Sequence, residues 1–222
     1  MKRIEVSVRD INPDDYFGRN ADLSDVSTVV DEDCVLTHEG RVVLGYCSNI
    51  GGDLDGLRDA LDGARGSFIK AFRATKENAM KPTSATFGYL PRLGLRTGTK
   101  ACRIAALFSK NKDVHDLLVS WTRSVTKFYS ELAPEAADAH RKETEDRIRS
   151  EYRMPDSMFT SGIVNRSSQL PYHYDRGNFK GAWAAMLGLS KGIHGGHLVI
   201  PEYDIALAIT DGSLSFFDGQ AD

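Results

Sequence analysis

An α+β fold, a β-sandwich or barrel backed by helices, is what the sequence predicts, and three observations carry it. Helical periodicity dominates the middle of the chain, and short β-branched and aromatic runs separated by turn residues fill its last third. No internal repeat, low-complexity tract or linker divides the two. At 222 residues the chain is long enough to bury a sizeable core.

Residues 1–33 are polar and mixed, and predict loops with one short edge strand. Cys34-Val35-Leu36-Thr37 and Arg41-Val42-Val43-Leu44-Gly45-Tyr46 flank His38-Glu39-Gly40, which reads as a hairpin with an exposed tip histidine. Asp53 caps a helix reaching Ala74, because Leu54, Leu57, Leu61, Ala64, Phe68 and Phe72 recur every three or four residues. Gly56, Gly63 and Gly66 weaken that helix by about 1 kcal/mol each relative to alanine. Lys81-Pro82-Thr83-Ser84 breaks the pattern, and an irregular, strand-like section punctuated by Gly94 and Gly98 runs from Phe87 to Leu107.

The broad apolar face from Val114 to Leu132 predicts a helix over 112–132, with His115 partly exposed on it. Pro134 opens a third helix to Tyr152 whose charged face, His140 included, is expected in solvent with Ile148 and Tyr152 inward. Strands are then expected at 159–165, 170–175, 181–189, 197–203, 205–210 and 213–217, the last two joined as a hairpin by Asp211-Gly212.

Hydrophobic content of 41% and charge of 27% are those of a soluble globular protein. The charged start Met1-Lys2-Arg3-Ile4-Glu5-Val6 lacks a signal-peptide core, and no run approaches the ~20 apolar residues of a membrane helix. Cys34, Cys47 and Cys102 show neither metal nor redox spacing, so three free thiols in a reducing cytoplasm are expected. A net charge of −3 argues against a generic nucleic-acid coat. Between Lys70 and Arg103, however, Arg73, Lys76, Lys81, Arg92, Arg96 and Lys100 face Glu77 alone, a local excess that suits either phosphate contact or a solvated helix end and loop.

The chemistry centres on Tyr172-His173-Tyr174-Asp175-Arg176-Gly177-Asn178. On a strand, residues i and i+2 share a face, which would put the His173 imidazole beside the Asp175 carboxylate. Such a pair supplies two ligands of a 2-His-1-carboxylate iron site, in which three positions stay open for co-substrate and dioxygen. A bare H-x-D is common; a buried hydrogen-bonded pair or a surface pair are the ordinary readings of it.

The wider pattern resembles the Fe(II)/2-oxoglutarate dioxygenases, specifically the TET/JBP branch that oxidises methyl groups on nucleobases. The matching residues are Phe159-Thr160-Ser161-Gly162, Leu170 to Asn178, Gly181-Ala182-Trp183, Gly195 to Tyr203 and Gly212 to Gly219, with Phe87-Gly88-Tyr89-Leu90-Pro91-Arg92 at the opening. The HYDRGN string with its G-x-W continuation resembles bacteriophage and bacterial members. The resemblance implies a double-stranded β-helix (jelly roll) over 85–222, with the hairpin and helix of 1–84 packing on it. It also implies Fe(II) on His173 and Asp175, 2-oxoglutarate as co-substrate, and Asn178 at a position that contacts the Watson–Crick edge of a base. A turn residue after Gly177 is the plainer reading of Asn178.

The sequence departs from the family where a second iron-binding histidine and a co-substrate-anchoring arginine should follow Leu214–Phe217. After Asp175 only His194 and His197 remain, and no arginine follows Arg176; Lys180, Lys191 and Arg166 are weak substitutes. The domain is therefore expected to be incomplete at its C-terminus, through truncation or degeneration. Truncation is favoured because a jelly roll without its last strands would expose sheet edges. Little activity is expected of the 222 residues alone.

The expected function is hydroxylation of the methyl group of a pyrimidine in DNA, 5-methylcytosine in preference to thymine, with the base leaving the duplex to stack on Tyr172, Tyr174 or Trp183. The alternatives are a peptide or small-molecule dioxygenase of the same fold and a non-catalytic DNA-binding remnant.

Overall fold

The computed structural model describes residues 1–70, 82–91, 102–167, 169–175, 178–179 and 181–219. In chain order its elements begin with β1 (Lys2–Glu5), β2 (Thr28–Val30), β3 (Cys34–His38), β4 (Arg41–Cys47), α1 (Leu54–Gly63), β5 (Ile69–Lys70) and β6 (Thr83–Pro91). There follow β7 (Cys102–Ile104), α2 (Ala106–Lys110), α3 (Lys112–Leu132), α4 (Pro134–Arg147) and β8 (Ser161–Arg166). The last are β9 (Ala184–Leu187), β10 (Leu198–Ile200), β11 (Ile205–Leu207) and β12 (Leu214–Phe217). The chain divides into two units, Met1–Leu54 with Gln169–Asp222, and Asp55–Ser168. The N-terminal hairpin is part of a sheet with β12 and β9.

The first unit holds two sheets, one ordered β1-β3-β4-β12-β9 and one ordered β10-β11-β2. The β3–β4 hairpin turns through Glu39 and Gly40, whose φ values of 49° and 76° are the paired positive angles of the tight turn that matches strand twist. Val30, Leu36, Leu44, Tyr46, Ile205 and Leu207 draw the two sheets around one core. Each buried aliphatic side chain there contributes about 2 kcal/mol. The Tyr46 hydroxyl, fully buried, donates to the Ala208 carbonyl at 2.6 Å, so the one polar atom of that ring is satisfied.

Two strand expectations in this unit are corrected. Residues 170–175 form no strand; Pro171 alone bridges Asn20. Asp211-Gly212 makes a turn, with Ser213 N–H on the Thr210 carbonyl, but its flanking strands part. β11 pairs with β10 and β2, while β12 pairs with β4 and β9. The turn is drawn aside by the Gly212 N–H, which donates to Gly188. Residues 1–33 supply two short strands rather than one, β1 parallel to β3 and β2 parallel to β11.

In the second unit β6 pairs with β5, β7 and β8. It starts at Thr83, inside the segment expected to break structure. Helix α1 stops at Gly63 and gives way to a 3-10 turn, Arg65–Ser67, then to β5; Phe68 is not helical. The end of that helix expected at Ala74, with Phe72, lies outside the described residues. So do Gly94, Gly98 and the basic cluster apart from Lys70 and Arg103.

Helix α3 has the expected bounds, capped by the Asn111 side chain, which accepts from Val114 N–H. Helix α4 starts at Pro134 as expected but ends at Arg147, where Ile148 turns extended. The expectations for the histidines of α3 and α4 both fail. His115 is buried, its Nε2 accepting from Gly88 N–H at 3.1 Å and its Nδ1 3.0 Å from Asp116 Oδ1. His140 is buried against the Tyr129 and Phe159 rings, because α4 turns Ala137, His140 and Thr144 inward.

Candidate metal centre

His173 and Asp175 lie together, though not by the expected route. The Nε2 of His173 is 3.5 Å from the Asp175 Oδ1, in an irregular segment whose two side chains are partly open to solvent. The His173 Nδ1 is 2.7 Å from the Pro171 carbonyl oxygen. A carbonyl only accepts, so Nδ1 carries the proton and Nε2 faces the carboxylate. Neutral His173 would then oppose a lone pair to the Asp175 oxygens. Imidazole nitrogen and carboxylate oxygen facing one another are two donors that one metal ion could share. Two donors at right angles on a first-row ion stand ~3 Å apart, and the observed separation is within a small side-chain rotation of that.

Asp175 is held from behind. Its N–H donates to the Gly219 carbonyl at 2.9 Å, and its own carbonyl accepts from Asn178 N–H at 3.2 Å. The Asp175 side chain packs directly over Gly219, which follows β12. Asn178 is half-buried three residues on; Arg176, Gly177 and Lys180 lie outside the described residues.

The segment before His173 is tied to residues 16–25. Tyr172 N–H donates to the Arg19 carbonyl and Gly18 N–H to the Tyr172 carbonyl, both at 2.9 Å. The Tyr172 hydroxyl donates to Asp25 Oδ2 at 2.9 Å, and Arg19 meets Asp25 Oδ1 at 2.8 Å. Burial pushes the Asp25 carboxyl up, but the Arg19 and Tyr172 hydrogen bonds outweigh it and hold it below the usual carboxylate range. Burial, then the bond to Asp25, raise the Tyr172 phenol. The Arg19 guanidinium lies over the rings of Tyr16 and Tyr172, which meet edge to face.

Of the three aromatics expected to stack on a base, Trp183 is buried and the Tyr172 ring is engaged as above. Tyr174 is 38% exposed and stacks on Phe17, itself 52% exposed, at 6.2 Å between centroids. Neither Phe17 nor the Arg19–Asp25 pair carried a sequence signal, since both reach the site across some 150 residues of chain. Gly219 had one, its place in the Gly212-to-Gly219 string.

Among the described residues no three His, Cys, Asp or Glu side chains gather to hold a metal ion. His197 is half-buried and His194 exposed. His38 is half-buried at the end of β3 rather than exposed at a tip, its Nδ1 3.1 Å from the Val6 carbonyl. Arg166, a weak candidate for the co-substrate carboxylate, is paired with Asp62 at 2.6 Å. Cys34, Cys47 and Cys102 are free thiols. No helix among the described residues is long and apolar enough to cross a membrane.

No protein-family model matches the chain. A curated protein of Trypanosoma cruzi (strain CL Brener), named bifunctional helicase and thymine dioxygenase JBP2, is 31% identical over 150 residues, 67% of this chain. Its namesake in Leishmania braziliensis is 26% identical over 149 residues, and that in Trypanosoma brucei brucei (strain 927/4 GUTat10.1) is 24% identical over 197. This chain spans 13% of the length of the first two and 18% of the third. Among solved structures, NgTET1 in complex with 5mC DNA matches with a TM-score of 0.52 at 10% identity, over 92% of this chain and 75% of that one. Mixed α+β architecture and sequence kinship together relate this chain to the TET/JBP-type oxygenases.

Proposed function

We propose that this chain carries part of the centre of an Fe(II)/2-oxoglutarate-dependent dioxygenase of jelly-roll architecture, acting on the methyl group of a pyrimidine in DNA. The observation that carries the reading is His173 Nε2 facing Asp175 Oδ1 at 3.5 Å while Nδ1 is committed to the Pro171 carbonyl. Imidazole nitrogen with carboxylate oxygen is the donor set of a non-haem iron site. Bound there with 2-oxoglutarate, iron would supply the dioxygen chemistry that hydroxylates the methyl group of the pyrimidine.

The protein's own groups do the rest. Asp175 offsets part of the ion's charge, and the Pro171 carbonyl fixes the His173 tautomer. The Asn178 amide donates and accepts, which suits the edge of a pyrimidine. The exposed rings of Tyr174 and Phe17 offer a surface for an extruded base. The remaining iron ligand and the anchor of the 2-oxoglutarate carboxylate are not assigned among the described residues.

Asn178, taken with the bacteriophage-like HYDRGN pattern, favours 5-methylcytosine as the target. The naming of the sequence relatives as thymine dioxygenases favours thymine, which is the second reading. The test is protein purified without oxygen, loaded with Fe(II) and 2-oxoglutarate, and given oligonucleotides holding either base. One oxygen gained on one pyrimidine, lost in His173→Ala and Asp175→Ala, supports the proposal and chooses the base. Oxygen appearing on a peptide or metabolite instead would move the chain to another substrate class. DNA binding without iron would make it a non-catalytic remnant.

A further inference from the structure

We propose that Asp25 is a positioning residue for His173, acting through Tyr172 and Arg19; this rests on the reading of His173 as a metal ligand. The relay starts in one peptide group. The N–H of Tyr172 and the carbonyl of Pro171 are the two ends of a single planar trans unit, so aiming one aims the other in the opposite direction. The N–H end is bonded to the Arg19 carbonyl, and the carbonyl end takes the proton of His173 Nδ1 at 2.7 Å. Whatever holds Arg19 and Tyr172 therefore sets which ring nitrogen of His173 is left for a metal ion.

Asp25 holds both. One carboxylate oxygen accepts from the Tyr172 hydroxyl at 2.9 Å and the other from Arg19 at 2.8 Å. Asp25 is itself pinned, because its Oδ2 also accepts from Asp22 N–H and closes a capping box with Asp22. Its side chain is only 12% exposed and its bond to the Tyr172 hydroxyl is partly buried, while the Arg19 side chain lies open to solvent. The two partners are joined again by the Gly18–Tyr172 bond and by the packing of Arg19 on Tyr172. The result is a two-stranded brace whose far end orients an imidazole that Asp25 never touches. Groups that orient a ligand in this way are worth ten- to a hundredfold in metal affinity, of order.

The test reads the imidazole directly and the metal separately. In the metal-free protein, the His173 ring ¹⁵N shifts, identified by difference from His173→Asn, are expected to show Nδ1 protonated and Nε2 not. Asp25→Ala is expected to remove that preference and to weaken binding of Mn(II), followed by the electron paramagnetic resonance of the free ion, about tenfold or more. Tyr172→Phe is expected to move both readings the same way by less, and decides the matter if Asp25→Ala does not fold. Arg147→Gln, on an exposed ion pair in the other unit, should change neither. A folded Asp25→Ala or Tyr172→Phe protein with the parent tautomer and Mn(II) affinity overturns the proposal. Equal Mn(II) binding by the parent and His173→Asn, or none by either, would sink the metal-ligand reading, and the ring shifts alone would then decide whether the brace positions His173.

Discussion

Gly219 and Asp175 are packed so closely that a methyl group on Gly219 would sit 2.9 Å from Asp175 Oδ2 and 3.0 Å from its Cβ. Hydrogen at that position is what lets the carboxylate lie flat on the backbone that leaves β12. Gly219→Ala should push the carboxylate away from His173 and lower divalent-metal affinity by roughly tenfold. Overpacking of this kind costs ~1–3 kcal/mol, so thermal stability should fall modestly. Parallel titrations of Mn(II) and melting curves check both; unchanged metal affinity would mean that Asp175 is placed by something else.

Protonation of His140 should make the protein acid-sensitive. Burial, reinforced by Arg141, pushes this imidazole down to about 4. Between that value and the ordinary 6.5 the unfolded chain binds a proton that the folded chain refuses, so stability rises with pH across the window and is lost as pH falls through it. The loss is up to ~3 kcal/mol. His140→Phe, which keeps a ring against Tyr129 and Phe159, should flatten the difference in urea midpoint between pH 7 and about 4.5. An equal slope in both proteins would assign the acid sensitivity elsewhere.

Phe17 and Tyr174 are open to solvent and stack on each other. Replacing both by alanine should therefore leave folding within ~1 kcal/mol of the parent. Stacking on a base is worth about 1–3 kcal/mol, so oligonucleotide affinity should drop by tenfold or more. Fluorescence anisotropy with a labelled strand measures it. Parent-like affinity would confine the two rings to each other.

The buried Tyr46 hydroxyl reaches from the larger sheet to the residue just after β11. Tyr46→Phe keeps the ring and strands the Ala208 carbonyl, at a cost of about 1–3 kcal/mol. Denaturant unfolding should register that loss with an unchanged dependence on denaturant, since the same surface is buried.

Local signals in the sequence were legible and long-range ones were not. The apolar face from Val114 to Leu132 set the bounds of α3, and Pro134 the start of α4, without tertiary structure. Glu39-Gly40 announced its hairpin in the same way. The H-x-D pair was found for a reason that fails locally. Alternation on a strand was expected to align the two side chains, whereas a Pro171 carbonyl, Gly219 and a brace from residues 16–25 do so on irregular backbone. His140 was misplaced because Ala137 and Thr144, which share its buried face, contribute nothing to an apolar stripe. The strands flanking Asp211-Gly212 looked like a hairpin because nothing local says that β12 will take β4 and β9 as partners.

That choice of partners imposes an order of events during synthesis. β12 lies between β4 and β9, and Gly219 comes directly after it. The β4 edge of the amino-terminal hairpin has no strand to pair with until residues 214–217 have been made. Only then does the carboxylate of Asp175 acquire its backing. A nascent chain thus carries His173 and Asp175 before the backbone at Gly219 that backs the carboxylate has been made.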